Sequence, residues 1–373
     1  MLKKISLLLF IISCLNFGFG QEIKLSQNAQ VSVLTCDLGN ESYSLFGHTA
    51  IRIKDEINNL DVVYNYGAFD FATPNFIMKF TKGDLQYFIV ANSFSDFIGS
   101  YTYEQRSVFE QELQISNDLK QQLFDRLNTS LFSDERYYTY KFIDKNCTTM
   151  VVDIINKTLG STVIEKKIDT DITYRTVLYP YFKNQFYYKL GISIIFGTKV
   201  DQKATTIFLP FELLESLKTT QFQNEHLSSD VKTLVSFDNT VPFSWWNNVY
   251  SYLVVLALIL ILNRKNINLF FLFLLGFLGV FFFVVGFYSL HKELAYNYNM
   301  LLFNPTLLAL VYFIIKQNKK WIVNFSAFNF ICILFYLIFI LNKAHLLIMI
   351  PIAVVSLVIL GKLIFRNKNK EIV

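Results

Sequence analysis

Two regimes of hydrophobic patterning divide the chain. Up to Trp245, apolar residues alternate with polar ones or recur at helical spacing; from Tyr250 onward, apolar runs dominate, broken only by short polar clusters. The runs at 249–262, 269–290, 300–315, 322–341 and 346–365 approach the roughly 20 residues that cross a bilayer. The first gains an aromatic flank from Trp245 and Trp246. About five spanning helices are predicted; the first and third runs are short, so four is the other count.

At the N-terminus, Lys3 and Lys4 precede an apolar stretch from Ile5 to Leu15, and Asn16-Phe-Gly-Phe follows, ending in the small residue Gly20. This is the pattern of a secretory signal cut after Gly20. Ile11-Ile-Ser-Cys14 offers an alternative, a lipidated N-terminus on Cys14. The expected division is a signal at 1–20, an exported domain at 21–245 and an all-α transmembrane domain at 246–373. Export makes the first span run inward. Arg264, Lys265, Lys316, Lys319, Lys320, Lys362, Arg366, Lys368 and Lys370 then all lie in the cytoplasm, as the positive-inside rule requires.

Within the exported domain, Ala29 to Cys36 reads as a strand, and the alternation after His48 as a second. The turn Asp55-Glu-Ile-Asn-Asn and the run Leu60 to Gly67 complete a hairpin with it. A helix is expected at 75–82, a strand at 83–91, and a strand at 108–115. An amphipathic helix with Asn117 as its cap follows, then an aromatic strand at 137–143. A helix at 148–159 closes at Gly160, and another begins around Pro210. Strands followed by helices make this an α+β domain.

Composition agrees with the division: 53% of residues are hydrophobic, 17% aromatic, and 39 are Phe. The net charge of +5 gives no support to a nucleic-acid partner, because the basic excess flanks apolar runs. The four histidines, His48, His226, His291 and His345, have no His or Cys at ligand spacing, so neither metal nor cofactor is expected. His226 reads as an exposed loop residue. Gly191 to Gly197 is no phosphate loop, for it lacks the Lys-Ser/Thr pair.

The chemistry points to Cys147, which stands where the aromatic strand gives way to helical spacing. A helix start favours the thiolate through unpaired N–H groups and the positive end of the dipole. His48 is the candidate base. Asn65 either orients its imidazole as the third member of a triad or simply ends a strand before Gly67. Cys36 and Cys147 form the alternative, a structural disulfide that would consume the nucleophile. Arg175 is either an anion ligand or an ion-pair partner. In the outer loop between the second and third spans, His291, Asn297, Asn299 and Asn304 are candidates for binding a lipid head group or substrate. The competing reading is an interfacial belt of Tyr and Asn.

A His at a strand start, a polar residue on the next strand and a later Asn-Cys at a helix start resemble the circularly permuted papain-like fold of the NlpC superfamily. More specifically, Leu34-Thr-Cys-Asp-Leu-Gly, Ser44-Leu-Phe-Gly-His48-Thr-Ala-Ile-Arg, Tyr64-Asn-Tyr-Gly-Ala-Phe-Asp-Phe-Ala-Thr-Pro-Asn and Asp144-Lys-Asn-Cys147-Thr-Thr resemble the periplasmic domain of Lnb-type bacterial lipoprotein N-acyltransferases. The resemblance implies Cys147 as nucleophile, His48 as base, a membrane phospholipid as acyl donor and a lipoprotein N-terminus as acceptor. It also implies a multi-pass protein of the bacterial inner membrane whose catalytic domain faces the periplasm. An NlpC-like cysteine amidase or peptidase acting on cell-wall peptides uses the same pair. The membrane domain favours acyl transfer, since a wall hydrolase needs at most an anchor.

Overall fold

The alternating segments become the strands of a seven-stranded antiparallel sheet in the computed structural model, which describes residues 23–39, 41, 43–238 and 241–368. The expected signal, including Cys14, lies outside the described residues. The strands are β1 (Gln30–Cys36), β2 (His48–Asp55), β3 (Leu60–Ala68), β4 (Gln86–Ser93), β5 (Val108–Glu112) and β6 (Tyr137–Thr139). A separate two-stranded hairpin, β7 (Gln221–Phe222) and β8 (Glu225–His226), precedes β9 (Lys232–Val235). The spatial order is β6-β4-β3-β2-β1-β5-β9, which puts the predicted β2–β3 hairpin near the centre. His226 is exposed on the small hairpin.

Seven helices accompany the sheet: α1 (Phe76–Lys82), α2 (Phe94–Tyr103), α3 (Asn117–Phe132), α4 (Cys147–Leu159), α5 (Tyr174–Leu178), α6 (Phe186–Ile195) and α7 (Pro210–Thr219). Helices α3 and α4 cover one face, where Leu123, Leu127, Val151 and Ile155 meet Val31, Ile51, Ile53, Tyr64 and Tyr66. On the opposite face, Phe97 of α2 packs on Leu34, Cys36, Ala50, Val63 and Val108. Burial on both sides explains why β1 and β2 are apolar beyond simple alternation.

Several local expectations change. The stretch Phe94–Tyr103, to which the sequence assigned no element, forms α2 because Ser93 accepts the Asp96 N–H as a helix cap. Ser116, not Asn117, caps α3. The aromatic strand stops at Thr139, since the backbones of Lys141 and Lys145 bond reciprocally at 2.9 and 3.1 Å and turn the chain toward Cys147. The segment from Leu190 is the second half of α6.

The membrane domain comprises α8 (Val249–Leu262), α9 (Lys265–Tyr288), α10 (Thr306–Ile315), α11 (Lys319–Ile340) and α12 (Leu346–Lys368). Among the described residues, four segments are long and apolar enough to span: Lys265–Tyr288, Lys292–Ile315, Lys319–Ile340 and Leu346–Lys368; α8 is a shorter apolar helix. The third of these is continuous only in part, because 3-10 turns at Lys292–Leu294 and Tyr298–Leu301 precede α10. Asn304 satisfies the break by accepting from the Thr306 N–H and hydroxyl at 3.0 and 2.8 Å.

The outer loop docks the two domains. Ser289 Oγ donates to Thr81 O, the Leu290 N–H to Lys82 O, and His291 Nε2 bonds Phe80 O, so the last carbonyls of α1 find partners in the membrane domain. Gly83 makes this possible. Its φ of +77° ends α1 in a left-handed turn, and a Cβ there would stand 2.9 Å from the His291 ring. The end of α6 is held likewise: Asn297 Nδ2 donates to Ile194 O and Ile195 O, and Asn299 Nδ2 to Ser193 O, Ile194 O and Phe196 O. Nearby, the fully buried Arg175 pairs with Asp201 at 2.7 Å, while the Tyr298 hydroxyl donates to the same carboxylate and meets His345 Nε2 at 3.2 Å. Arg175 is therefore an ion-pair partner at the domain junction.

Arg175→Met should leave the Asp201 carboxylate buried without its closest cation, at a cost of about 3–5 kcal/mol. The expected result is a lower midpoint of thermal unfolding and faster proteolytic separation of the domains. An unchanged midpoint would contradict the assignment.

Candidate active site

Cys147 is the first residue of α4, and Asn146 fixes it there. The Asn146 carboxamide oxygen accepts the Thr148 and Thr149 N–H groups at 2.9 and 3.0 Å, and the Asn146 N–H donates to the Thr149 hydroxyl at 2.8 Å. This reciprocal capping box contributes about 1 kcal/mol or more. Asn146 Nδ2 donates to Phe142 O and Phe208 O, so the cap is itself bolted to two neighbouring loops.

His48 opens β2, directly across the ladder from Cys36. One residue on, Thr49 Oγ1 lies 3.0 Å from Thr148 Oγ1 in a buried contact. The residue after the histidine is thus tied to the residue after the cysteine, which sets the imidazole beside the thiol, with His48 Cε1 and Cys147 Cβ flanking the same space at Gly67. His48 Nε2 lies 3.2 Å from Asn65 Oδ1, while Asn65 Nδ2 reaches Asn92 Oδ1 at 3.5 Å. This pattern assigns the Nε2 proton to the Asn65 bond and leaves Nδ1 for the thiol. Asn65 and His48 thus make the contact expected of an orienting residue and its base.

Between Asn65 and Ala68 the β3–β4 register shifts by a bulge that contains Gly67, whose φ is +104°. A side chain at Gly67 would stand 3.6 Å from Cys147 Cβ, 3.7 Å from His48 Cε1 and 3.9 Å from the Tyr138 hydroxyl. The glycine keeps that space free beside the reactive groups. The Tyr138 hydroxyl is buried with no hydrogen-bond partner among the described residues.

The two cysteines of this domain have opposite electrostatics, and both are free thiols. Burial raises Cys36 to about 12, a tendency that the Tyr101 hydroxyl and Arg106 only partly offset. Burial also pushes the Cys147 thiol up. There, however, the charge and hydrogen bond of His48 prevail, aided by the Thr49 N–H and the Thr148 hydroxyl, and the thiol falls below its ordinary value. This environment favours the thiolate at Cys147 over Cys36, and the disulfide alternative is not formed. Tyr138 is raised, first by burial and then by the neighbouring Cys147 charge, so its hydroxyl stays protonated.

The loop candidates are used differently from their expected role. Asn297, Asn299 and His291 are buried, and their polar groups engage backbone of the sheet domain. Asn299 Oδ1 additionally accepts from the Tyr336 hydroxyl, and Asn297 Oδ1 from the Asn299 amide. With donors and acceptors so engaged, these side chains dock domains rather than present a head-group site, and Asn304 caps a turn. Asn146, Thr49, Thr148 and Tyr138 were missed by sequence reasoning. Of these, Asn146 was within reach, through the Asn-x-x-Thr spacing of the cap.

Two family models match the chain. Residues 21–179 match the Lnb N-terminal periplasmic domain, and residues 239–370 match the Lnb transmembrane domain. No curated protein and no solved structure matches it.

The rate of Cys147 alkylation by iodoacetamide, followed against pH, should show a midpoint below that of an ordinary thiol. In His48→Ala the midpoint should move upward, because the two largest lowering influences are lost while desolvation remains. A midpoint unmoved by that substitution would disprove the pairing.

Proposed function

The chain belongs to the Lnb family, matched in both its periplasmic and its membrane domain, and from that premise we propose that it transfers an acyl chain from a membrane phospholipid to the N-terminal amine of lipoproteins through a thioester on Cys147. The observation that carries this reading is the thiol of Cys147 at a helix start beside His48, itself bonded to Asn65, in a domain held against the outer ends of membrane helices.

In the first half-reaction the thiol gives its proton to His48, and Sγ attacks the ester carbonyl carbon of the donor. The C–S bond forms, the ester C–O bond breaks, and the departing lysophospholipid alkoxide takes the proton back from His48. In the second, the lipoprotein amine attacks the thioester. The amide C–N bond forms, the C–S bond breaks, and His48 moves the amine proton to the sulfur. Asn65 holds the imidazole through both steps. The Cys147 N–H, first in α4, has no intrahelical acceptor and faces charge developing on the carbonyl oxygen; the unpartnered Tyr138 hydroxyl is a second donor for that charge.

An amidase acting on wall peptides would use the same pair. What favours transfer is the docking: a site held at the bilayer suits a lipid donor and a lipidated acceptor. The corresponding cellular location is the bacterial inner membrane.

Mass spectrometry of lipoprotein N-termini should show loss of the N-linked acyl chain in cells lacking the protein, and equally in cells carrying Cys147→Ser. Unchanged lipoproteins with altered wall fragments would favour the amidase. Tyr138→Phe should reduce transfer by about 10²-fold or more while leaving the unfolding midpoint unchanged, because the hydroxyl removed has no partner to lose. Full activity in this variant would exclude the tyrosine from the chemistry.

A further inference from the structure

Helix α1 is apolar, yet none of its seven residues is buried. Ile77 is 77% and Met78 62% exposed; just before the helix, Phe71 is 67% exposed. An exposed aliphatic and aromatic surface of this kind on one short segment has no explanation within the periplasmic domain, which packs its own core elsewhere.

The position of α1 supplies one. Its final carbonyls accept hydrogen bonds from Ser289, Leu290 and His291, immediately beyond the outer end of α9 at Tyr288. The last turn of α9 itself exposes Phe287 at 81%. Helix α1 therefore stands where the membrane domain meets the outer surface of the bilayer, beside a helix whose exposed face is hydrocarbon-seeking. Lys79 lies in the last turn of α1, and Lys82 beside it pairs with Asp84 at 2.5 Å.

The same segment leads inward to the thiol. Phe80 stacks in parallel on Phe76 at 6.5 Å, Phe76 meets Phe69 at 5.8 Å, and Phe69 stacks on Tyr87 at 5.0 Å. Tyr87 in turn meets Tyr138 at 6.3 Å, and the Tyr138 hydroxyl and Cys147 Cβ flank the same open side of Gly67. An aromatic wall thus runs from the exposed helix to the reactive cysteine without a charged residue among its members.

We infer that the segment from Phe69 to Phe80 enters the outer-leaflet interface of the bilayer and guides a lipid acyl chain along its aromatic wall to Cys147. Insertion rests only on the membrane position of α1; guidance rests on the acyl-transfer reading. The lipid supplies the occupant that the apolar face lacks, and the tether to α9 removes most of the entropy that a free amphipathic helix loses on binding.

The test uses the full chain carrying Cys147→Ser, reconstituted in vesicles of phosphatidylethanolamine and phosphatidylglycerol that contain a phosphatidylethanolamine with a diazirine in its acyl chain. Photolysis followed by peptide mass spectrometry should place label on residues 69–80 as well as on the membrane helices. Label confined to the membrane helices would overturn insertion, whatever the enzyme's reaction. In the chain with Cys147 intact, the exposed pair Ile77→Glu and Met78→Glu should lower the label on 69–80 several-fold and lower acyl transfer by about ten-fold. Alkylation of Cys147 should stay at the unsubstituted rate. Transfer undiminished in that variant would overturn guidance, and persistence of the label would overturn insertion through α1. If lipid labelling is as expected but no acyl transfer is found in the unsubstituted chain, the functional reading fails and the membrane insertion stands.

Discussion

Two helices of the periplasmic domain end with carbonyls that accept hydrogen bonds from the outer loop of the membrane domain. Ser289, Leu290 and His291 take those of α1, while Asn297 and Asn299 take those of α6. An orphan carbonyl buried away from water costs about as much as a lost hydrogen bond, so the membrane domain completes the ends of α1 and α6, at Thr81 O, Lys82 O, Ile194 O and Ile195 O. The Arg175–Asp201 pair adds a charged lock at the same junction, where Tyr298 and Lys343 of the membrane domain also face the carboxylate. The periplasmic domain is consequently held against the outer ends of the membrane helices by hydrogen bonds and an ion pair together.

That junction reaches almost to the thiol. Glu293, itself buried, accepts the Ile143 N–H, and Lys292 pairs with Asp144 in the turn that delivers the chain to Cys147. Lys141, from the same turn, donates to the carbonyls of Gly83 and Leu290 on either side of the boundary. The cap that presents the nucleophile is thus supported from the membrane side as well as by Phe208 of its own domain.

Selection between the two periplasmic cysteines follows from what surrounds each. Cys36 points into an apolar layer with Phe97 and Val108, where burial keeps it protonated. Cys147 experiences burial too, but its imidazole neighbour and helix-start position compensate the anion. The Thr49–Thr148 contact is what makes the difference geometrically, because it ties the strand that carries the base to the helix that carries the thiol.

The sequence by itself determined the two-domain division, the hairpin that holds His48 and Asn65, the helix start at Cys147 and the approximate limits of the apolar helices. These are local properties, since alternation, capping chemistry and the length of an apolar run are written in consecutive residues. Only the tertiary structure decided that Asn65 reaches His48, that Cys36 and Cys147 remain apart as thiols, and that Tyr138 and Gly67 frame the site. Those relations join residues between 17 and 111 positions apart, from the His48–Asn65 bond to the alignment of Cys36 with the face opposite α4. It also gave His291, Asn297 and Asn299 backbone partners in the other domain, and Asn304 a partner in Thr306. A polar cluster at a membrane boundary has one appearance in sequence whether it binds a head group or caps a neighbouring helix. What distinguishes the two is the presence of an acceptor in another domain, and consecutive residues carry no record of that.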